Sequence, residues 1–280
     1  MSEVLIREFE SDLDRIQSLL DFIDQVKVFM SVQLNTETDA FASATLDSDY
    51  GDFFSSAVDT HRRATDSRLN LAILPGTLLL YLSGRFEDYV KSSFEELAEE
   101  VATNYGGWDV LPRDMKDSLV KYTAEVIANP RKYGHAENGV VSFVTVLHAN
   151  LNNDLSRINT QCLSVTHENM RSDILKELFE RIGAKSIWDK IGEKMSIKNF
   201  FETHENARAT SQSKKLLNEI MDTRNRIAHP SANIDWPALN KIREYTGFLK
   251  ALGAALNDCV QEYSYQLRPT QSTTAISTSS

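Results

Sequence analysis

Apolar residues recur at helical spacing along most of the chain, and the alternation typical of strands is rare. The stripe of the first segment advances by alternating steps of four and three residues, at Phe9, Leu13, Ile16, Leu20 and Ile23. This pattern predicts a helix from about Glu3 to Met30. Because an apolar stripe must pack on something, we expect a neighbouring helix of the same chain as its partner, with a second chain as the alternative.

The same periodicity predicts further helices, which end at glycine, proline or polar positions. They cover about Thr77–Asn104, Arg113–Asn129, Val140–Leu151, His167–Ile182, Ser196–Thr203, Ser213–His229 and Asp235–Leu267. The segment 140–151 is rich in β-branched residues and could form a strand, but its neighbours are all helical. The hexapeptide Thr-His-Glu-Asn-x-Arg occurs at Thr166 and again at Thr203. Its flanks do not repeat, so we interpret it as coincidence or as two similar helix starts.

These elements predict an all-α fold, an up-and-down helical bundle with an extra N-terminal helix. The Ser-, Thr- and Asp-rich stretch 31–67 is expected to be a long polar arm with short helical turns. We therefore predict three parts: an N-terminal helix plus polar arm over 1–67, a helical domain over 68–267, and a disordered tail over 268–280.

Composition narrows the possible functions. Forty acidic residues against 30 basic ones give a net charge of −10, so contact with nucleic acid must come from a local basic spot. Two distant cysteines, Cys162 and Cys259, exclude a disulfide scaffold and a cysteine-rich zinc module. The acidic, interrupted N-terminus and the lack of a long apolar run predict a cytoplasmic protein without a membrane partner.

The sequence motifs of several common enzyme and metal-binding classes are absent from this chain. Neither a phosphate-binding P-loop nor a dinucleotide-binding glycine pattern occurs, and neither does a zinc-protease helix, a calcium loop or a nucleophile elbow. We therefore expect no cofactor and no metal.

One group of residues, at 224–229, combines a charged side chain, a side chain that can carry a proton, and the end of a helix. The apolar stripe of the helix near residue 220 includes Ile220, Met221 and Ile227, but the position that would continue it at 224 holds an arginine. A guanidinium on this face needs an acid or a phosphate as partner, because an unpaired buried charge is prohibitive. His229 precedes a proline, so its imidazole is expected where the helix ends.

These side chains suit a phosphodiester. Arginine binds phosphate through a two-pronged donor fork, and histidine exchanges protons near neutral pH. Asn225 and His229 are four apart and share a helical face, so Asn225 can fix the imidazole or a phosphate oxygen. The simplest reaction for this set is cleavage of RNA by its own 2′-hydroxyl, which needs a proton acceptor and charge stabilisation but no metal.

The segment Arg224-Asn225-x-x-x-His229 resembles the R-x4–6-H motif of HEPN domains, the helical fold of many prokaryotic ribonucleases. The stretches 169–183 and 80–90 are similar to the RiboL-PSP type of HEPN protein, with Pro230 where relatives often have glycine. The resemblance implies that Arg224 and His229 are catalytic, that Asn225 supports them, and that Glu87 or Asp88 is an acidic helper. It also implies a homodimer whose two motifs face each other, acting in a toxin–antitoxin or anti-phage setting with an antitoxin or another defence protein as partner.

Structural interpretations of the same residues stay open. Arg224 could pair with Glu87 or Asp88 in the core, and His229 could cap a helix C-terminus. Glu87 and Asp88 could equally form a solvated ion pair with Arg85. From Arg208 to Ser231, five basic residues, Arg226 among them, stand against two acidic ones, which marks a confined basic spot.

Two functions are therefore compared. The first is a metal-independent endoribonuclease with RNA as substrate. The alternative is an inert HEPN-like helical module that dimerises or binds RNA or a partner protein. The N-terminal helix and polar arm are, as a hypothesis, a control element for the nuclease.

Overall fold

The computed structural model describes residues 3–32, 48–67, 71–134, 136, 139–229 and 235–268, and these contain eleven α-helices and no strand. The helices are α1 Glu3–Ser31, α2 Ser48–Asp66, α3 Leu74–Tyr105, α4 Arg113–Ala128, α5 Val140–Leu151, α6 Thr160–Leu163, α7 Ser172–Glu180, α8 Ile187–Glu193, α9 Met195–Phe200, α10 Asn206–Ala228 and α11 Leu239–Gln266. Two 3-10 turns, Trp108–Val110 and Pro130–Tyr133, complete the described elements. The predicted all-α fold is confirmed.

The predicted helices all exist, but the structure adds three helices and several boundaries differ from expectation. Helix α10 begins at Asn206 rather than Ser213, α11 begins at Leu239 rather than Asp235, and α9 ends at Phe200 rather than Thr203. The polar arm was expected to be mostly loop, and its second part is instead the 19-residue helix α2. Its half-buried positions, at 57, 58, 61 and 64, follow helical spacing, but alanines and a histidine occupy most of them, so the apolar signal in the sequence is weak. Helix α7 begins at Ser172 rather than at His167, because Arg171 has an extended backbone. The short helices α6 and α8 were not predicted.

The chain divides into two compact units. The first unit comprises Met1–Phe9, Phe86–Met221 and Phe248–Ser280, and the second comprises Glu10–Arg85 and Asp222–Gly247. Helices α1, α3, α10 and α11 each contribute residues to both units. The predicted domain boundaries at 67 and 267 stay a prediction, and residues 269–280 of the predicted tail lie outside the described residues.

The core of the first unit is built on aromatic rings. Phe9 stacks on Tyr89 with ring centroids 4.7 Å apart, and the Tyr89 hydroxyl donates to the Gly253 carbonyl at 3.0 Å. Phe94 meets Phe179 edge to face at 5.7 Å between centroids. Large rings arranged in this way bury much apolar area and fix the helices that carry them.

The core of the second unit contains most of the apolar stripe of α1. Leu13, Ile16, Leu20 and Ile23 are each at most 4% exposed. The nearly buried Asp12 accepts hydrogen bonds from Arg85 Nε at 2.5 Å and from the Tyr81 hydroxyl at 3.1 Å, which ties α1 to α3. The stripe therefore packs within the chain, as we expected, and the alternative of a partner chain is not needed to cover it.

No helix within the described part of the chain is long and apolar enough to serve as a membrane span.

We expect the substitution Gly76→Ala to lower the free energy of unfolding by about 1–3 kcal/mol, because overpacking forces neighbouring side chains to shift. A Cβ at Gly76 would lie 2.4 Å from Cε3 of Trp236. The matched control is Gly84→Ala on the same helix, where a Cβ meets no atom within 4 Å. This control should raise stability by up to about 1 kcal/mol through helix propensity. Urea denaturation followed by circular dichroism measures both, and equal effects would contradict the packing at Trp236.

Removal of residues 1–67 is expected to abolish cooperative unfolding, because it exposes the core positions that face Phe9 and the α1 stripe. The control role hypothesised for the N-terminal helix and polar arm stays a prediction beside this structural role. The check is a thermal melt and gel filtration of the truncated chain beside the full chain. A soluble truncated protein with an unchanged melting temperature would show that α1 is dispensable for folding.

Candidate functional site

Helix α10 presents the motif side chains because its other face is buried. Ile220 and Met221 are at most 1% exposed and Ile227 is 6% exposed, so the helix cannot rotate without exposing them. Thr223 is buried on the same stripe. Arg224, which continues this stripe, and its neighbour Asn225 are half-buried, and Asp222 and Arg226 are exposed. The apolar stripe thus fixes where each polar neighbour lies.

Arg224 has no acidic partner in the part of the chain that the structure describes. Its Nη1 donates to the Asn225 side-chain oxygen at 3.2 Å, a contact between two neighbours in the sequence. An amide oxygen orients a guanidinium but leaves its charge unneutralised. Arg224 therefore keeps a full positive charge at a half-buried position, where Coulomb attraction is screened less than in bulk water.

His229 follows the last residue of α10. Its backbone N–H donates to the Asn225 carbonyl at 3.0 Å, so the last turn of the helix is closed at His229. Its side chain is exposed and, among the described residues, makes no hydrogen bond. The imidazole is therefore accessible one helical turn beyond Asn225, as the proline at 230 predicted for the helix end.

A polar chain behind the motif was not found from the sequence. Arg226 donates from Nη2 to the Thr223 hydroxyl at 2.9 Å, and this hydroxyl lies 3.5 Å from the hydroxyl of Tyr245. Lys241 lies over the Tyr245 ring at 5.0 Å from its centroid. A threonine within an apolar stripe was the available signal, because a buried hydroxyl needs a partner. These contacts link α10 to α11 within the second unit.

The proposed acidic helpers are placed on α3 in the first unit. Glu87 accepts from Lys91 Nζ at 2.7 Å, one turn further along the same helix. Asp88 is exposed. Arg85 binds Asp12, and its alternative pairing with Glu87 or Asp88 stays a prediction. The supporting role of Glu87 and Asp88 stays a prediction.

The described residues hold no group of three or more His, Cys, Asp or Glu side chains that could bind a metal ion. The two cysteines are buried thiols, and burial raises the pKa of Cys162 to about 11 and that of Cys259 to about 12. They therefore stay protonated at neutral pH and do not supply a nucleophile.

Residues 224–229, called the motif turn below, thus carry two chemical functions close together in the sequence. A guanidinium without a neutralising acid can bind an anionic oxygen, and an accessible imidazole can accept or donate a proton. Three exposed basic residues, Arg208, Lys215 and Arg226, lie along the outer face of α10, opposite the stripe that Arg224 continues. This combination suits a phosphodiester better than a neutral substrate.

Comparison with known families gives an independent result. The sequence model of the RiboL-PSP-HEPN family matches residues 51–262, which is 212 of the 280 residues. The match begins within α2 and ends within α11, so it includes the whole of α10. No curated protein and no solved structure shows significant similarity to the chain. The family match confirms the resemblance stated from the motif, and the chain belongs to the RiboL-PSP-HEPN family.

Proposed function

We propose that the protein is a metal-independent endoribonuclease whose active site includes Arg224, Asn225 and His229. The observation that carries this proposal is the state of Arg224, a half-buried guanidinium with no acidic partner among the described residues. The alternative interpretation, in which Arg224 is a structural residue of the core, needs an acidic partner such as Glu87 or Asp88. A charge that the fold leaves unneutralised is available for a substrate phosphate.

In the proposed reaction the 2′-hydroxyl oxygen of RNA attacks the adjacent phosphorus, and the bond from phosphorus to the 5′-oxygen breaks. The products are a 2′,3′-cyclic phosphate and a free 5′-hydroxyl. His229 takes the proton from the attacking hydroxyl or gives one to the leaving oxygen. Arg224 binds the non-bridging oxygens and stabilises their additional negative charge. Asn225 orients the guanidinium through the contact at 3.2 Å.

A homodimer completes this scheme. One imidazole cannot hold both protonation states at once, so a second copy with its own His229 would supply the other proton transfer. The basic spot on α10 would then occur twice around one RNA strand, which offsets the overall negative charge of the chain locally. We place this nuclease in the cytoplasm, in a toxin–antitoxin or anti-phage system, with an antitoxin or another defence protein as its inhibitor or trigger.

One observation favours the second candidate, an inert helical module. The His229 imidazole makes no hydrogen bond with any described residue, whereas catalytic histidines are commonly oriented by a neighbouring group. In the nuclease this orientation would come from the second subunit or from the RNA. In the inert module it would be absent altogether, and the protein would only dimerise or bind a partner.

We expect Arg224→Ala and His229→Ala each to lower RNA cleavage by about 10²–10⁴-fold, because each removes one function of the transition state. Arg224→Lys should restore little, since an ammonium lacks the planar fork. The control is His204→Ala, an exposed histidine outside the motif. Cleavage of a labelled RNA by purified protein measures all four variants, and circular dichroism confirms their folding.

Equal cleavage by the wild type and by both alanine variants would place any activity elsewhere. If the wild type shows no cleavage in the presence of cell extract or in a growth assay, while binding a partner normally, the inert module would be the better description.

A single 2′-deoxy substitution at the cleaved nucleotide is expected to abolish cleavage there, because the attacking oxygen is missing. Chelation of divalent ions should leave the rate unchanged within about twofold, since the proposed proton and charge transfers use side chains alone. Mass spectrometry of the products should find the cyclic phosphate. Cleavage of the deoxy-substituted RNA, or inhibition by a chelator that added magnesium reverses, would exclude this chemistry.

A further inference from the structure

A polar cavity of about 350 Å³ lies in the first unit, away from the motif turn in the sequence. Helix α3 supplies Glu99 and Thr103 to its wall, and α5 supplies Ser142 and Phe143. The segment 155–161, which leads into α6, completes it. The proposed nuclease chemistry uses none of these residues.

Two opposite charges line the cavity without a partner. Glu99 and Arg157 are both exposed, and neither forms an ion pair with any residue that the structure describes. The cavity therefore offers one anionic and one cationic group to a ligand.

The segment that carries Arg157 is held rigidly. The buried Asn150 donates from Nδ2 to the carbonyl of Arg157 at 2.6 Å and to that of Asp154 at 2.9 Å. The backbone N–H of Ser156 donates to the Asp154 carboxylate at 2.9 Å. A loop ordered in advance loses little entropy when it binds a ligand.

The floor of the cavity is also fixed. Asn159 and Thr160 are at most 7% exposed. The Asn159 amide donates from Nδ2 to the Thr123 hydroxyl at 3.3 Å and to the Phe143 carbonyl at 2.9 Å. These bonds fix the part of the cavity wall that Asn159 and Thr160 form, and the Phe143 ring adds an apolar surface to the wall.

Charge and size together select the ligand. A volume of about 350 Å³ is at the small end of ligand pockets, and a mainly polar wall disfavours an apolar ligand. A mononucleotide carries about two negative charges, for which Arg157 is the only cation on the wall, and Glu99 would repel them. A small molecule with one positive and one negative group satisfies both side chains and leaves no unpaired charge.

We propose that this cavity is a binding site for a small zwitterion of the amino-acid class. Its ammonium group binds the Glu99 carboxylate, and its carboxylate binds the Arg157 guanidinium. Thr103 and Gln161 lie at the same wall and supply hydrogen bonds to the rest of the molecule. The site is independent of the proposed nuclease reaction, so it can be tested without RNA.

The test titrates each standard L-amino acid into the full-length protein by isothermal calorimetry. For the amino acid that binds best, its N-acetyl form and its carboxamide form are compared with the parent. Each should bind at least about tenfold more weakly, because each lacks one charge-assisted contact. In the Glu99→Gln variant, the N-acetyl form should bind as well as the parent amino acid, while the carboxamide still binds more weakly. In the Arg157→Gln variant, the carboxamide should bind as well as the parent, while the N-acetyl form still binds more weakly.

Controls of the same unit and the same chemistry are Glu168→Gln and Arg113→Gln, which lie outside the cavity and should bind like the wild type. The modified ligands test the proposal on the wild type alone if a variant fails to fold. Absence of binding by every amino acid would overturn the proposal, and so would discrimination that neither cavity variant changes. Guanosine or adenosine monophosphate is titrated in parallel, and binding of a nucleotide in place of an amino acid, weakened by Arg157→Gln, would also overturn it.

Discussion

The buried apolar stripe of α10 is the constraint on which the motif depends. Ile220, Met221 and Ile227 are fixed in the core, and a helix has only one rotation that buries all three. That rotation leaves Arg224 and Asn225 half-buried, and the helix ends beside His229. The polar chemistry is therefore placed by apolar packing, and hydrogen bonds such as Arg226 to Thr223 only refine it.

The sequence predicted this part of the fold well because its signals are strong and local. The stripe of α1 and the helix end near Pro230 both follow from spacing and proline sterics. Helix α2 was missed because, among its described half-buried positions, only Val58 is a large apolar residue. Helices α6 and α8 are 4 and 7 residues long, so they hold too few positions to show a period.

What surrounds Arg224 could not be predicted from the sequence, because charge partners come from distant segments. By residue type, Glu87 and Asp88 were reasonable partners for Arg224. Arg85 was, equally, a reasonable partner for Glu87 and Asp88. In the structure Glu87 pairs with Lys91, and Arg85 pairs with Asp12, a residue 73 positions away.

A chain with a net negative charge can bind nucleic acid more selectively when its basic residues are confined to one part of the surface. With a net charge of −10, the protein repels nucleic acid over most of its surface, and this repulsion weakens beyond a Debye length of about 8 Å at physiological salt. In the proposed nuclease, contact with RNA would therefore depend on the few basic side chains of α10, among them Arg224 and the exposed Arg226. Broad basic surfaces bind any nucleic acid tightly, whereas this distribution makes binding depend on the few contacts at the site. An unneutralised Arg224 is tolerable because its position is only half-buried, so water still solvates part of the guanidinium until a phosphate replaces it in the proposed reaction.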